Sequence, residues 1–219
     1  MTIEVYWGSG SPYAWRALLT LEAKKLPYVS RPIEFSKEEH KTPDYLALNP
    51  RGKVPTLKDG DYVLSESIAI MAYLDRKYPD PPLFGRSAEE SGRVWKAISD
   101  SIYYLEPTGT RIVVPIFFGT VEDNADDIRA AIPEVREELG FMERQLGDND
   151  WLALGRLSAA DLAVYPFVEV LLRAAGKESA KPLGLGLEPF AERYPALEAW
   201  RQRIRALPGY AKTYPPHWR

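Results

Sequence analysis

The stretch from Asn49 to Leu74 constrains this chain more than any other. It reads Asn49-Pro50-Arg51-Gly52-Lys53-Val54-Pro55-Thr56-Leu57, then Lys58-Asp59-Gly60-Asp61, then Leu64-Ser65-Glu66-Ser67-Ile68. Pro55 opens a short apolar run, and a strand tolerates proline best at its first residue. Asp59-Gly60 is a hairpin signal between that run and Tyr62-Val63-Leu64. Ser65 is the expected N-cap of a helix whose apolar residues Ile68, Met71, Ala72 and Leu74 follow at helical spacing. A hairpin thus turns straight into a helix. The N–H groups of Glu66, Ser67 and Ile68 point out of that helix start, where an anion is well placed.

The elements on either side follow from periodicity. Thr2 to Trp7 read as a strand, Pro12 to about Lys25 as a helix with Ala17, Leu18, Leu21 and Leu26 as its apolar stripe, and Tyr28 to Phe35 as a second strand. Two strands around one helix make a βαβ unit, expected to be parallel and right-handed. A short helical turn near Thr42 to Leu48 leads into the hairpin and a helix from Glu66 to Lys77. The order β-α-β-α-β-β-α suits a thioredoxin-like domain. Tyr78-Pro79-Asp80-Pro81-Pro82 then breaks regular structure and reads as a linker. Beyond it the pattern is helical: about Ala88 to Phe118, Asn124 to Leu146, Ala159 to Ala175 and Pro189 to Leu207. Pro107 and Pro115 are expected to bend or interrupt the first of these. Ser158-Ala159-Ala160-Asp161 is a capping-box variant with Asp in place of Glu or Gln. The expected division is an α/β domain at residues 1–80 and an all-helical domain at 87–219.

Composition narrows the chemistry. The 219 residues are 45% apolar and 27% charged, with a formal net charge of -3 and no block of like charge. Nothing there points to nucleic acid or an anionic membrane surface. The apolar runs are too short to span a bilayer, and the first residues lack the basic and apolar regions of a secretory signal. There is no cysteine. Disulfides, thiolate metal sites and a thiol nucleophile of the protein are therefore excluded, and any thiol chemistry needs a thiol that arrives with the ligand. With only His40 and His217 as histidines and no clustered carboxylates, no metal is expected. Gly184-Leu185-Gly186 lacks the preceding strand and third glycine of a dinucleotide loop and reads as a turn.

The run Asn49-Pro50, Gly52-Lys53-Val54-Pro55, Glu66-Ser67 resembles the glutathione-binding half of glutathione S-transferases, and the resemblance extends more weakly over the rest of the chain. It implies a cis Val54-Pro55 bond that leaves the backbone of Val54 to pair with an extended peptide. It implies that Ser67 meets the γ-glutamyl carboxylate and Glu66 the ammonium. In serine-type classes such as phi, tau and zeta, a serine stands five residues before an arginine, and Ser11 and Arg16 match that spacing. Ser11 would then donate a hydrogen bond to the glutathione sulfur, with Arg16 a structural helix residue paired to a carboxylate. A hydrogen bond to a charged group contributes about 1.5–3 kcal/mol, enough to lower a thiol pKa by roughly one to two units. Pro12 suits the first turn of a helix, so Ser11 is also its N-cap. Ser9, Tyr6 and Tyr13 remain alternatives. His40-Lys41 is similar to a phi-class pair that meets the glycine carboxylate, with Lys53 as a second cation for it.

The implied activity is addition of glutathione, as co-substrate, to a hydrophobic electrophile. The electrophile is expected between the two domains, against Tyr13, Tyr103, Tyr104, Pro107, Thr108 and Arg111. Isomerase, peroxidase and lyase chemistry on the same scaffold stay open, as does a non-catalytic interaction protein. The cysteine-dependent omega-type branch is not expected. The tail from Tyr214 to Arg219 either folds over the cleft or frays. A cytoplasmic homodimer is the expected form.

Overall fold

The computed structural model describes residues 2–218. The chain divides into two compact units, Met1–Phe84 together with Arg205–Arg219, and Gly85–Ile204. The last fifteen residues thus belong to the α/β unit, whereas the sequence reading placed them with the helices.

The first unit is a thioredoxin-like domain. Strands β1 (Ile3–Trp7), β2 (Tyr28–Pro32), β3 (Thr56–Asp59) and β4 (Tyr62–Ser65) form one sheet in the order β2-β1-β3-β4. β1 runs parallel to β2 and antiparallel to β3, and β3 and β4 are antiparallel. The hairpin closes at Asp59 opposite Tyr62, so its two-residue loop is Gly60-Asp61. Gly60 takes φ 64° there, the first-position glycine that a tight hairpin turn requires. β2 stops at Pro32, short of Phe35; proline cannot supply the next N–H to a ladder, and Phe35–Lys37 turn away as a 3-10 segment. Helices α1 (Pro12–Ala23), α2 (Pro43–Leu48) and α3 (Ser67–Lys77) complete the domain. Ile3, Val5, Ala17, Leu18, Leu21, Leu57, Ile70 and Leu74 make its core. α1 is buried without a break from Ala14 to Leu21, because α3 packs against it and a short helix near the end of the chain, Tyr210–Thr213, packs against it as well.

The second unit is all helical. α4 (Ala88–Asp100) and α5 (Glu106–Phe118) are joined by a π-helical turn, Ser101–Leu105. The single helix expected from Ala88 to Phe118 is therefore interrupted one turn before Pro107. A proline ring clashes with the carbonyl four residues back, and a wider turn placed there removes the clash. Pro115, by contrast, lies within α5. α6 (Ala125–Gly147) follows, then α7 (Ala159–Ala175), the central helix, buried over most of its surface. The expected helix from Pro189 to Leu207 is two, α8 (Phe190–Arg193) and α9 (Pro195–Arg205). Tyr194 between them has φ −135° and ψ 63°, since the residue before a proline is driven out of the helical region. The Tyr210–Thr213 helix is α10. No helix among the described residues is long and apolar enough to cross a membrane.

Candidate glutathione site

The corner between β4 and α3 is made by one residue. Ser65 stays in the ladder opposite Thr56, so its backbone is committed to the sheet and Glu66, not Ser65, occupies the N-cap position of α3. Glu66 stands at φ 69° and ψ 114°, and its side chain makes no capping bond. A non-glycine residue held there costs about 1–3 kcal/mol and persists where surrounding structure enforces it. The carboxylate projects outward, and the first N–H groups of α3 are left without a side-chain cap at the positive end of the helix.

Ser67 is buried directly behind that corner. Arg16, 2% exposed, reaches its hydroxyl with Nη1 at 3.5 Å, and its guanidinium lies 5.1 Å from the centroid of the Tyr13 ring. A fixed positive charge in a partly desolvated setting acts strongly on an anion beside Ser67. This contact spans 51 residues, and helical position alone gave no signal for it.

The loop before β3 is held from within. The Asn49 amide donates to the Lys53 carbonyl at 2.7 Å, and the Tyr45 hydroxyl donates to the same carbonyl at 2.6 Å. Both side chains also touch the Thr56 hydroxyl, at 3.3 Å and 2.9 Å. Asn49 further accepts the Arg51 N–H at 3.1 Å. With both supports buried, Lys53, Val54 and Pro55 are presented in a set conformation, and the Val54-Pro55 bond is cis. The ladder begins only at Thr56, so Val54 contributes no rung to it. Asn49 was part of the sequence motif; Tyr45, with its hydroxyl eight residues from its partner, was not recognised.

Tyr13, Asn49, Arg51, Lys53, Val54, Pro55, Glu66 and Ser67 together line a concavity of about 250 Å³. A larger open depression of about 690 Å³ lies around Glu22, Lys25, Tyr28 and Lys212. It contains none of the predicted residues, and Glu22 within it accepts from Tyr28 and from Lys212, both at 3.2 Å.

Ser11 does not line the smaller concavity. It caps α1, accepting the Ala14 N–H at 3.2 Å. Its N–H donates to the Gly8 carbonyl at 3.1 Å, closing a turn over Gly8-Ser9-Gly10-Ser11. Gly8 is packed so tightly that a Cβ would strike the Phe35 ring and stand 3.3 Å from Cγ2 of Val54. The turn that carries Ser11 therefore lies against Val54. Of the alternatives, Tyr6 faces Tyr45, ring centroids 6.0 Å apart. Tyr13 lies at the rim and is 40% exposed. Ser9 is bonded to His217, 2.7 Å away.

The remaining expected residues are more dispersed. Lys41 pairs with Glu38 at 2.5 Å on the surface. The His40 ring packs edge-on to Phe35, 5.1 Å between centroids, and its Nδ1 is buried without a hydrogen bond. Neither lines the concavity. In the helical unit, Tyr103 and Tyr104 lie on the π-helical turn, 71% and 58% exposed. Pro107 is exposed at the start of α5, and the Thr108 hydroxyl donates back to the Tyr104 carbonyl at 2.6 Å. Arg111 is held by Asp127 at 2.6 Å and Glu134 at 3.2 Å.

A thioredoxin-like domain with an open, electropositive helix start, joined to a helical unit, defines the class of protein. The sequence profile of the glutathione S-transferase N-terminal domain matches residues 10–77, and that of the C-terminal domain residues 105–208. The chain belongs to the glutathione S-transferase family and is an enzyme of that activity class. It is 36% identical to glutathione S-transferase F10 of Arabidopsis thaliana over 74% of this chain and 78% of that one. It is 30% identical to glutathione S-transferase A of Pleuronectes platessa, covering 97% and 91% of the two chains. Among solved structures, a glutathione S-transferase from the Antarctic clam Laternula elliptica superposes with a TM-score of 0.80 at 31% identity, covering 100% and 94% of the two chains.

Proposed function

We propose that this enzyme binds glutathione in the concavity between the Asn49–Pro55 loop and the start of α3, ionises its thiol with Ser11, and adds the thiolate to an electrophilic small molecule. One observation carries the binding step: Lys53, Val54, Glu66 and Ser67 converge on a single concavity. Glutathione bears two carboxylates and one ammonium. The concavity offers Arg51 and Lys53 as cations and Glu66 as the one acid. Ser67, its N–H and the α3 start receive the γ-glutamyl carboxylate, with the Arg16 charge behind them, and Glu66 faces the ammonium. Lys53 serves the glycine carboxylate. His40 and Lys41 stay within the proposal as residues at the far side of the loop, reached through the His40 carbonyl, which would stand 3.0 Å from a Cβ on Gly52.

Val54 pairs with the cysteinyl backbone, and the turn packed on Val54 directs the sulfur to Ser11. The Ser11 oxygen is used in capping, but its hydroxyl proton makes no bond among the described residues and remains to be donated. That donation stabilises the thiolate, the attacking species. For the electrophile, the candidates are Tyr13 in the first unit and Tyr103, Tyr104, Pro107 and Arg111 in the second. The exposure of the tyrosines supports them, and the ion pairs of Arg111 favour a structural role for it. A cytoplasmic homodimer completes the reading.

Calorimetric titration with glutathione tests it. Saturable heat at one equivalent per chain is expected, and no heat change overturns the reading. Ser11→Ala should then lower turnover with glutathione affinity kept; unchanged turnover transfers the role to Tyr13, Tyr6 or Ser9.

A further inference from the structure

The end of the chain is built onto the turn that holds Ser11. Trp15, one helical turn after Ser11, donates its indole N–H to the Thr213 hydroxyl at 2.8 Å. The rings of Tyr210, Tyr214 and Trp218 surround it at 6.0, 5.8 and 5.5 Å. Between Tyr214 and Trp218 the chain delivers His217, whose Nδ1 is 2.7 Å from the Ser9 hydroxyl oxygen. The same ring covers Gly10: a Cβ there would be 3.0 Å from Cε1 and 3.3 Å from Nε2 of His217.

Ser9 and Gly10 are the two central residues of the turn closed by Ser11. Gly10 has φ 86°, as a turn of this kind needs at that position. A Gly-Ser-Gly sequence has little stiffness of its own. On one side Gly8 is fixed against Phe35 and Val54. On the other, His217 is brought against both Ser9 and Gly10, and Trp218 stands beside it, its Nε1 3.6 Å from where a Cβ on Gly10 would be. The residue that covers this turn, His217, thus stands 206 positions after Ser11 in the chain.

We infer that His217 is a positioning residue for thiol activation: through Ser9 and Gly10 it holds the turn in the one arrangement that aims the Ser11 hydroxyl at the sulfur. This rests on the reading above, and it adds to that reading a part for the C-terminal tail in the chemistry itself. His217 touches no reacting atom. Removing it frees the turn, so the hydrogen bond to the thiolate is made for less of the time and the thiol titrates higher. The peptide contacts at Val54, Glu66 and Ser67 are untouched.

The experiment follows the ultraviolet absorbance of bound glutathione thiolate against pH in the full chain and in Ser11→Ala, His217→Ala, His217→Asn and Ser9→Ala, with KM and kcat for an activated aryl halide. His217→Ala is expected to raise the bound thiol pKa by about half a unit, roughly a threefold loss of thiolate below that pKa. kcat should fall in step while KM for glutathione stays put. Ser9→Ala should reproduce this, and combining the two should add nothing, as for residues acting in one unit. His217→Asn, whose carboxamide stands where Nδ1 does, should recover most of the loss. If Ser11→Ala raises the thiol pKa and His217→Ala does not, the positioning role is overturned and the reading of the site stands. If Ser11→Ala leaves the titration unchanged, the site reading itself fails and takes this inference with it. If all the His217 and Ser9 variants lose glutathione affinity instead, the tail supports binding or folding, and the positioning role is again overturned.

Discussion

At the start of α7, four donors converge on one carboxylate; at the start of α3, a carboxylate and several backbone N–H groups are left facing outward. Asp161 accepts the N–H and hydroxyl of Ser158 at 2.9 and 2.8 Å, the Leu152 N–H at 2.9 Å and the Trp200 indole N–H at 2.9 Å. It is fully buried. Glu66 is exposed, sits at positive φ and caps nothing. α4 stands between these two: Ser87 accepts the Glu90 N–H at 3.3 Å, and Glu90 accepts the Arg86 N–H at 2.7 Å and is gripped by Arg156 at 2.6 Å. Serine caps α4 and α7, whereas Glu66 stands at the cap position of α3. A start closed on its own side chains stabilises the fold. A start left open, with strain at its corner, has its donors available for a ligand, and this difference supports the proposed placement of the glutathione site.

The contrast is broken most severely by Asp161→Ala. It strands the Leu152 and Ser158 N–H groups and the Trp200 indole in the interior, each worth about 1–3 kcal/mol. A loss of about 4 kcal/mol in unfolding free energy is expected by denaturant titration. At the open start the effect should appear in binding instead. Ser67→Ala removes a hydrogen bond to a carboxylate and should weaken glutathione roughly tenfold or more by calorimetry, with a far smaller change in unfolding free energy. Glu66→Gly sharpens the comparison further. Relief of the positive φ should stabilise the chain by about 1 kcal/mol while glutathione affinity falls. A glycine variant that is both less stable and equally tight in binding would refute the claim that strain is held there for the ligand.

The smallest effect is expected at α4. The Arg156 guanidinium, then the Arg86 N–H, holds the Glu90 carboxyl down at about 2, from a usual value of 4.5. A carboxylate with a depressed folded-state pKa stabilises the native state above its unfolded pKa, and that contribution is lost as pH falls through the folded value. Unfolding measured between about pH 4.5 and 2 should therefore lose less stability with acid in Glu90→Gln than in the parent chain.

Much of this was readable from neighbours in sequence. Ser158 and Asp161 lie three residues apart, so the cap appears as a local pattern. The hairpin was located by Asp59-Gly60, though the loop residues are Gly60 and Asp61, because the closing pair is set by register with β4. The proposed binding residues from Asn49 to Ser67 come together because they sit on one short loop-hairpin-helix unit. Other features could not be read this way. Ser65 looked like a cap until its pairing with Thr56 took its backbone. The helix through Pro107 kept its apolar rhythm across a π-helical turn that periodicity cannot register.

Sequence by itself determined the order of the main elements and the caps at Ser11 and Ser158, because each depends on dihedral preference and short-range bonding. Tertiary structure alone decided that Arg16 stands behind Ser67, that Tyr45 and Asn49 share one carbonyl, and that His217 closes over Gly10. Those contacts exist only once packing has brought distant segments together, and no local preference along the chain encodes where a side chain dozens or hundreds of residues away will come to rest.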